Sequence, residues 1–115
     1  MQKLTIPGRL CGLNELINGH WTVKAGYMDV VQWEIKAAKL KPVNNIVNIY
    51  IDCYEPNKRR DHDNVEGGAK KVILDALVKK KIIKDDSSDY IKKTYANTYY
   101  NKKYPRIEVR IEECK

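Results

Sequence analysis

Residues 64–80 read NVEGGAKKVILDALVKK, and they carry the most regular apolar pattern in the chain. Apolar side chains recur there at positions i, i+4, i+7, i+8, i+11 and i+12, which is the spacing of one face of an α-helix. The members of this stripe are Val65, Ala69, Val72, Ile73, Ala76 and Leu77. The pattern predicts a helix over residues 64–80 that packs one face against a core.

Strand patterns lie on both sides of this helix. Residues 46–54 (IVNIYIDCY) are rich in β-branched and aromatic residues, and every second side chain is apolar. Residues 90–100 and 106–112 alternate well enough to predict two further strands after the helix. Leu4–Ile6, which precedes a Pro-Gly turn, predicts a short first strand.

The segment between the first two strands predicts one more helix. Apolar residues recur at helical spacing from Tyr27 to Leu40, and Pro42 follows the run. Residues 12–26 show no clear period, so we expect a loop there. The resulting order, β-α-β-α-β-β, predicts a small α+β fold with two helices on a mixed or antiparallel sheet.

Length and charge narrow the class of protein. The 115 residues suit a single domain over 1–115. Lys and Arg outnumber Asp and Glu by 22 to 15, which predicts a polyanionic partner. No apolar run approaches the roughly 20 residues that span a bilayer, and the first residues do not look like a signal peptide. We therefore expect a cytoplasmic protein without a membrane partner.

The cysteines and histidines do not suggest a metal or disulfide framework. Cys11, Cys53 and Cys114 are odd in number, widely spaced and without a CxxC pair. His20 and His62 do not complete a ligand set with them. We interpret all five as ordinary core or surface residues.

Carboxylates stand beside basic residues just before the main helix. Asp61 and Asp63 follow Lys58-Arg59-Arg60, and they alternate in sequence, so both carboxylates can meet one hard cation such as Mg²⁺ or Mn²⁺. The simpler alternative is that Asp63 and Glu66 form a capping box. A cation held by carboxylates and flanked by Lys and Arg is expected for phosphodiester cleavage.

Further basic residues extend this pattern. Lys58, Arg59 and Arg60, and the later run Lys79, Lys80 and Lys81, are expected to contact DNA phosphates, with a solvated basic surface as the alternative. Lys71 is a candidate for steadying charge in the transition state. Its alternative role is an i,i+4 ion pair with Asp75.

Motifs in fixed order resemble the RusA family of Holliday-junction resolvases, including the shorter forms carried by prophages. The motifs are Arg60-Asp61-His62-Asp63-Asn64, Lys71-Val72-Ile73-Leu74-Asp75-Ala76-Leu77 and Lys84-Asp85-Asp86. Residues 6–9 (IPGR) and 12–15 (GLNE) are also similar to the family's opening segment. The family commonly has a glycine after the helix, where this chain has its lysine run.

The resemblance implies a RusA-like fold and a homodimeric, Mg²⁺-dependent endonuclease that nicks opposed strands of a four-way DNA junction. Mn²⁺ is expected to substitute for Mg²⁺. The resemblance also implies metal ligands at Asp61, Asp63 and Asp86, with Asp85 as an adjacent acidic residue. It implies a catalytic or phosphate-contacting role for Lys71. The alternative function is a non-catalytic DNA- or RNA-binding module in which the aspartates only cap a helix.

Helix geometry predicts a second, narrower apolar seam opposite the main stripe, at Gly67, Leu74 and Val78. Either a loop of the same chain or the same helix of a second subunit could cover it. We favour a two-fold dimer interface, because Gly67 permits close approach. An antiparallel pairing would also place Asp86 of one subunit beside Asp61 and Asp63 of the other.

Overall fold

A computed structural model describes residues 1–114, which form four strands and three helices in one α+β domain. The elements are β1 Gln2–Pro7, α1 Leu13–Asn18, α2 Trp21–Ala37, β2 Val47–Glu55, α3 His62–Lys79, β3 Ile91–Tyr100 and β4 Arg106–Glu113. The predicted α+β class is confirmed. Within the described residues 1–114, no helix is long and apolar enough to cross a membrane.

The four strands form one mixed sheet in the order β1-β4-β2-β3. β4 runs antiparallel to both β1 and β2, whereas β3 runs parallel to β2. Parallel neighbours need a crossover connection, and α3 provides it. The register pairs Glu55 with Tyr100, so β2 and β3 end at the same edge of the sheet.

The core lies between one face of the sheet and the helices. Alternate residues of β2, from Val47 to Glu55, are buried, and the residues between them are half-buried. The predicted stripe of α3 is confirmed, since all six of its members are buried. The opposite face of the sheet is open and carries tyrosine and arginine side chains.

The segment predicted as a loop contains helical structure, so that prediction is wrong in part. α1 ends at Asn18, and α2 begins at Trp21 rather than Tyr27. His20 caps α2 by accepting a hydrogen bond from the Thr22 N–H at 3.3 Å. The first turns of α2 contribute no fully buried residue, so they leave no apolar period in the sequence. The fold therefore has three helices instead of two.

Lys81 ends α3 in place of the glycine common in the family. Its φ is 60°, in the left-handed region. The N–H of Lys81 donates to the Val78 carbonyl and that of Ile82 to the Leu77 carbonyl, both at 2.9 Å, which is a Schellman motif. The chain then turns back toward the body of α3.

Candidate metal and DNA site

Asp61 and Asp63 lie at the start of α3, directly beyond the end of β2. Asp61 is the N-cap residue, yet its side chain makes no capping hydrogen bond, and Asp63 lies inside the first turn. Glu66 instead accepts a hydrogen bond from the Thr98 hydroxyl at 2.7 Å. The capping-box alternative is therefore wrong. Both carboxylates are exposed beside the positive end of the helix dipole.

Glu55 anchors this edge of the sheet. It is the buried charged side chain among residues 1–114, with 3% of its surface exposed. Arg60 donates two hydrogen bonds to it, both at 2.9 Å, and Arg9 donates two more at 2.9 and 3.3 Å. Burial alone raises the pKa of Glu55, but the bonds and charges of the two guanidinium groups outweigh it and lower that pKa.

Sequence reasoning missed this ion-pair network, although a signal was present. Glu55 continues the alternation that buries β2, so its carboxylate falls on the core face and needs a basic partner. Arg60 was predicted to contact DNA, but its guanidinium is occupied by Glu55 and by the Leu10 carbonyl at 2.9 Å. Arg60 thus joins β2 to the loop after β1. Because Arg60 directly precedes Asp61, these bonds also restrain the backbone at Asp61.

The loop before α1 packs closely on the first half of α3. Asn64 accepts a hydrogen bond from the Asn14 N–H at 2.8 Å through its side-chain oxygen. A Cβ atom at Gly68 would lie 2.0 Å from the Cys11 carbonyl oxygen, so only glycine permits this approach. The first turn of α1 is therefore anchored at Asn64, one residue beyond Asp63, and the loop before it packs on Gly68.

Lys71 lies two turns beyond Asp63 on α3, and 57% of its side chain is exposed. The predicted i,i+4 pair with Asp75 is present, with 3.7 Å between the nitrogen and the oxygen. The same carboxylate oxygen also accepts a shorter hydrogen bond from Lys24 of α2. An exposed pair of this kind contributes little, so the Lys71 ammonium is available to an external anion.

Asp85 and Asp86 are exposed in the chain that follows α3. Asp86 borders a recess of about 290 Å³ between α1 and α3, and both aspartates border a neighbouring recess toward Lys24 and Val78. The first recess is also lined by Leu13, Gly67, Lys70, Lys71, Leu74 and Asp75. The structure thus brings Asp86 and Lys71 to the same recess.

Asp61 and Asp63 do not line that recess. Within the part of the chain that the structure describes, no three acidic, histidine or cysteine side chains are grouped so that they could hold a metal ion. The predicted set of carboxylates is therefore divided between the start of α3 and the segment beyond its end.

The same chain covers much of the seam predicted as a dimer interface. A Cβ at Gly67 would lie 3.0 Å from the Leu13 side chain, and only 8% of Leu74 is exposed. Cover by the same chain, the alternative to a dimer interface, is therefore present at Gly67 and Leu74, and it comes from α1. The apolar recess between Leu13 and Leu74 stays open. Val78 is half-buried and lines the neighbouring recess toward Lys24.

The exposed basic residues that were predicted to contact DNA lie at both ends of α3. Lys58 and Arg59 precede the helix, and residues 79–81 end it. An 18-residue helix is about 26 Å long. The two groups are therefore about one helix length apart, and exposed Lys70 and Lys71 lie between them.

The cysteines and histidines have structural positions. Burial raises the pKa of the Cys11 thiol to about 11 and that of Cys53 to about 12, so both thiols stay protonated. Cys114 is half-buried. His20 caps α2, and His62 makes a 2.8 Å hydrogen bond with the Tyr100 hydroxyl.

An exposed pair of aspartates beside basic residues is compatible with a metal-dependent enzyme that acts on phosphodiesters. The family model of endodeoxyribonuclease RusA matches residues 22–112, so this chain belongs to the RusA family. The family supports nuclease activity on branched DNA and a general need for a divalent metal. A search of curated proteins finds no match. The family match begins in α2, so β1 and α1 lie outside it.

Proposed function

We propose that this protein is a Mg²⁺-dependent, homodimeric endodeoxyribonuclease that resolves four-way DNA junctions by paired nicks. The observation that carries the proposal is the free carboxylate of Asp61, an N-cap residue that caps nothing, next to Asp63 in a member of the RusA family. A fold alone would not select a function. The pair of aspartates beside the exposed Lys58 and Arg59 supports this one.

The residues present fit a hard cation. Asp61 and Asp63 offer exposed carboxylate oxygens, which are the donors that Mg²⁺ prefers. When bound, such an ion polarises a phosphoryl oxygen and lowers the pKa of water. Lys58 and Arg59 would hold the phosphates beside the cleaved bond. Lys71 would balance negative charge that develops during cleavage.

The carboxylates of one chain are not grouped around a common point. Asp86 borders two recesses along α3 whose lining residues on the helix run from Gly67 to Lys79, and Asp63 lines neither. Carboxylates that share a cation lie within about 2.0–2.6 Å of it. Among residues 1–114, Asp86 does not form with Asp61 and Asp63 a group that could hold a metal ion, which supports a site completed by a second chain.

A second copy would bring these groups together. If α3 faces its two-fold mate in antiparallel orientation across the recess that stays open between Leu13 and Leu74, with the axis level midway between Gly67 and Leu74, position 75 of one copy lies level with position 66 of the other. That level is about 4–5 Å from Asp63 along the axis. Asp86 of the second copy then approaches Asp61 and Asp63, and we propose that the dimer shares both of its sites.

The direct test uses three labelled substrates: a synthetic four-way junction, a linear duplex and a single-stranded RNA, each with Mg²⁺ or with EDTA. We expect paired nicks in the junction only, and only with Mg²⁺. Salt-dependent binding without cleavage, and without Mn²⁺ binding through the aspartates, would instead support a non-catalytic binding module.

Replacement of one carboxylate separates metal binding from helix stabilisation. We predict that Asp63→Asn abolishes junction cleavage but leaves junction binding unchanged or tighter, because it removes a metal ligand and a negative charge that faces phosphate. The matched control is Asp29→Asn on exposed α2, which should cleave normally. An Asp63→Asn protein with full activity would rule out the metal role of this residue.

A further inference from the structure

The open face of the sheet carries a stack of four planar side chains at the edge where β2 and β3 end. Its order is Tyr104, Arg106, Tyr54 and Tyr99. The Arg106 guanidinium lies 3.9 Å from the centre of the Tyr54 ring and 4.7 Å from that of Tyr104. The Tyr54 and Tyr99 rings stack with their centres 5.2 Å apart. We name this group the four-member stack.

The middle of the four-member stack is fixed, whereas its ends are open. Arg106 donates a hydrogen bond to the Tyr104 carbonyl at 3.1 Å and pairs with Glu108 at 3.6 Å, and 16% of its side chain is exposed. The terminal rings are much more exposed, 51% for Tyr104 and 45% for Tyr99. Each end therefore offers a preformed aromatic surface to another planar group.

Topology places this stack at the same end of the sheet as the proposed cleavage residues. β2 leads into the loop that ends at Asp61, and β3 leads into the loop of residues 101–105, both at one edge of the sheet. The Lys58 ammonium lies 5.3 Å from the centre of the Tyr100 ring, on the face of β3 opposite Tyr99. Exposed cations follow in both loops, namely Lys58, Arg59, Lys102 and Lys103.

We propose that the four-member stack binds unpaired DNA bases at the branch point of the substrate; this inference rests on the proposed function. Aromatic surfaces interleaved with cations bind single strands, because every base has a flat face and every nucleotide a phosphate. Bases inside a linear duplex are already stacked and cannot reach a protein ring. The stack would therefore distinguish a branch from continuous duplex beside the cleavage residues.

The same sheet face offers a matched control. Tyr50 and Tyr95 form an equivalent stacked pair, with ring centres 5.0 Å apart, and Tyr95 is 41% exposed. Tyr95 precedes Tyr99 by four residues, about 13 Å along β3 and away from the two basic loops. Tyr95 is therefore an exposed, stacked tyrosine like Tyr99, but it lies far from the basic loops.

The experiment measures equilibrium binding of the full chain in EDTA, so that cleavage does not contribute. The probes are a four-way junction with 2-aminopurine at the branch, a linear duplex and a single-stranded oligonucleotide. Tyr99→Ala and Tyr104→Ala should each lower the affinity for the junction and the single strand by about fivefold or more. Affinity for the linear duplex should not change, and Tyr95→Ala should change none of the three.

Two further variants separate stacking from folding. Tyr99→Phe keeps the aromatic ring and should bind as the wild type does, whereas Tyr99→Leu keeps apolar cover and should fail as Tyr99→Ala does. Unchanged junction and single-strand affinities in Tyr99→Ala and Tyr104→Ala would overturn the inference, as would an equal loss on all three probes. A wild-type protein that binds junction and duplex alike would contradict the proposed function instead, and the single-strand probe would still decide the role of the stack.

Discussion

Glu55 determines how firmly the start of α3 is held. Its buried carboxylate accepts four hydrogen bonds from Arg9 and Arg60, and Arg60 precedes Asp61 directly. A buried charge is tolerated when it is fully paired, and loss of one partner leaves the others unsatisfied. The network thus couples the stability of this edge to the position of the proposed metal ligand.

The lowered pKa of Glu55 predicts a pH-dependent contribution to stability. Because the folded pKa lies below the ordinary value of 4.5, the contribution is fully present above that value and is lost as pH falls through the folded pKa. Glu55→Gln should lower the free energy of unfolding by about 3 kcal/mol at pH 7. The difference from wild type should shrink below pH 4.5 in denaturant titrations. Exposed Glu113→Gln is the control, and a difference that does not vary with pH would contradict the assignment.

The neighbouring arginines should differ in their effect on DNA binding. Arg59 is exposed, whereas Arg60 is bonded to Glu55. Arg59→Gln should reduce the slope of log affinity against log salt by about one phosphate contact. Arg60→Gln should lower the unfolding free energy and leave the slope unchanged. If Arg59→Gln and the wild type show equal slopes of log affinity against log salt, Arg59 does not contact DNA phosphates.

At the scale of elements, α3 does three things at once. Its main stripe fills the core, its first turn presents the aspartates, and its glycines receive the loop before α1. The left-handed Lys81 then ends the helix and sends the chain back toward the recess that holds Asp86. The positions of the proposed metal ligands and of Lys71 therefore depend on one helix.

Two glycine-to-alanine changes should have opposite effects on stability. Gly68→Ala places a Cβ against the Cys11 carbonyl, so it should destabilise the fold by about 3 kcal/mol and displace the loop before α1. Gly26→Ala on α2 meets no atom within 4 Å and should stabilise the fold by about 0.5–1 kcal/mol, because alanine favours helix. Thermal unfolding of both variants measures these changes in stability. A Gly68→Ala protein as stable as the wild type would show that the loop does not pack against Gly68.

At the scale of the whole molecule, the proposed shared sites would need two copies. One chain holds Asp61 and Asp63 at the start of α3, whereas Asp86 borders recesses farther along the helix. Two-fold symmetry would convert this separation into a pair of equal sites, which is the arrangement that paired nicking of a junction requires.

Subunit mixing tests the shared site. Asp61→Asn and Asp86→Asn proteins should each be inactive alone. In a mixed dimer, a shared arrangement leaves one site intact and the other doubly damaged, so single-strand nicking of the junction should return. Absence of nicking, in a mixture verified to have exchanged subunits, would rule out the shared site.

The local sequence pattern was sufficient to predict β2, the last two strands and α3. Burial in those elements repeats every second residue or along one helical face. The pattern also located the aspartates, the exposed basic residues and the Lys71 pair with Asp75, since these lie within one short stretch. The beginning of α2 and the true number of helices were not predictable in this way. Those turns bury little, and a side-chain cap at His20 defines where the helix starts.

Only the tertiary structure decided which distant residues share an environment. Arg9 and Glu55 are 46 residues apart in sequence, and Leu10 lies 50 residues from the guanidinium of Arg60 that bonds it. The separation of Asp86 from Asp63 likewise depends on how the chain returns along α3. Periodicity reports the face on which a residue lies, but it does not report its partner, because partners are determined by the packing of elements against one another.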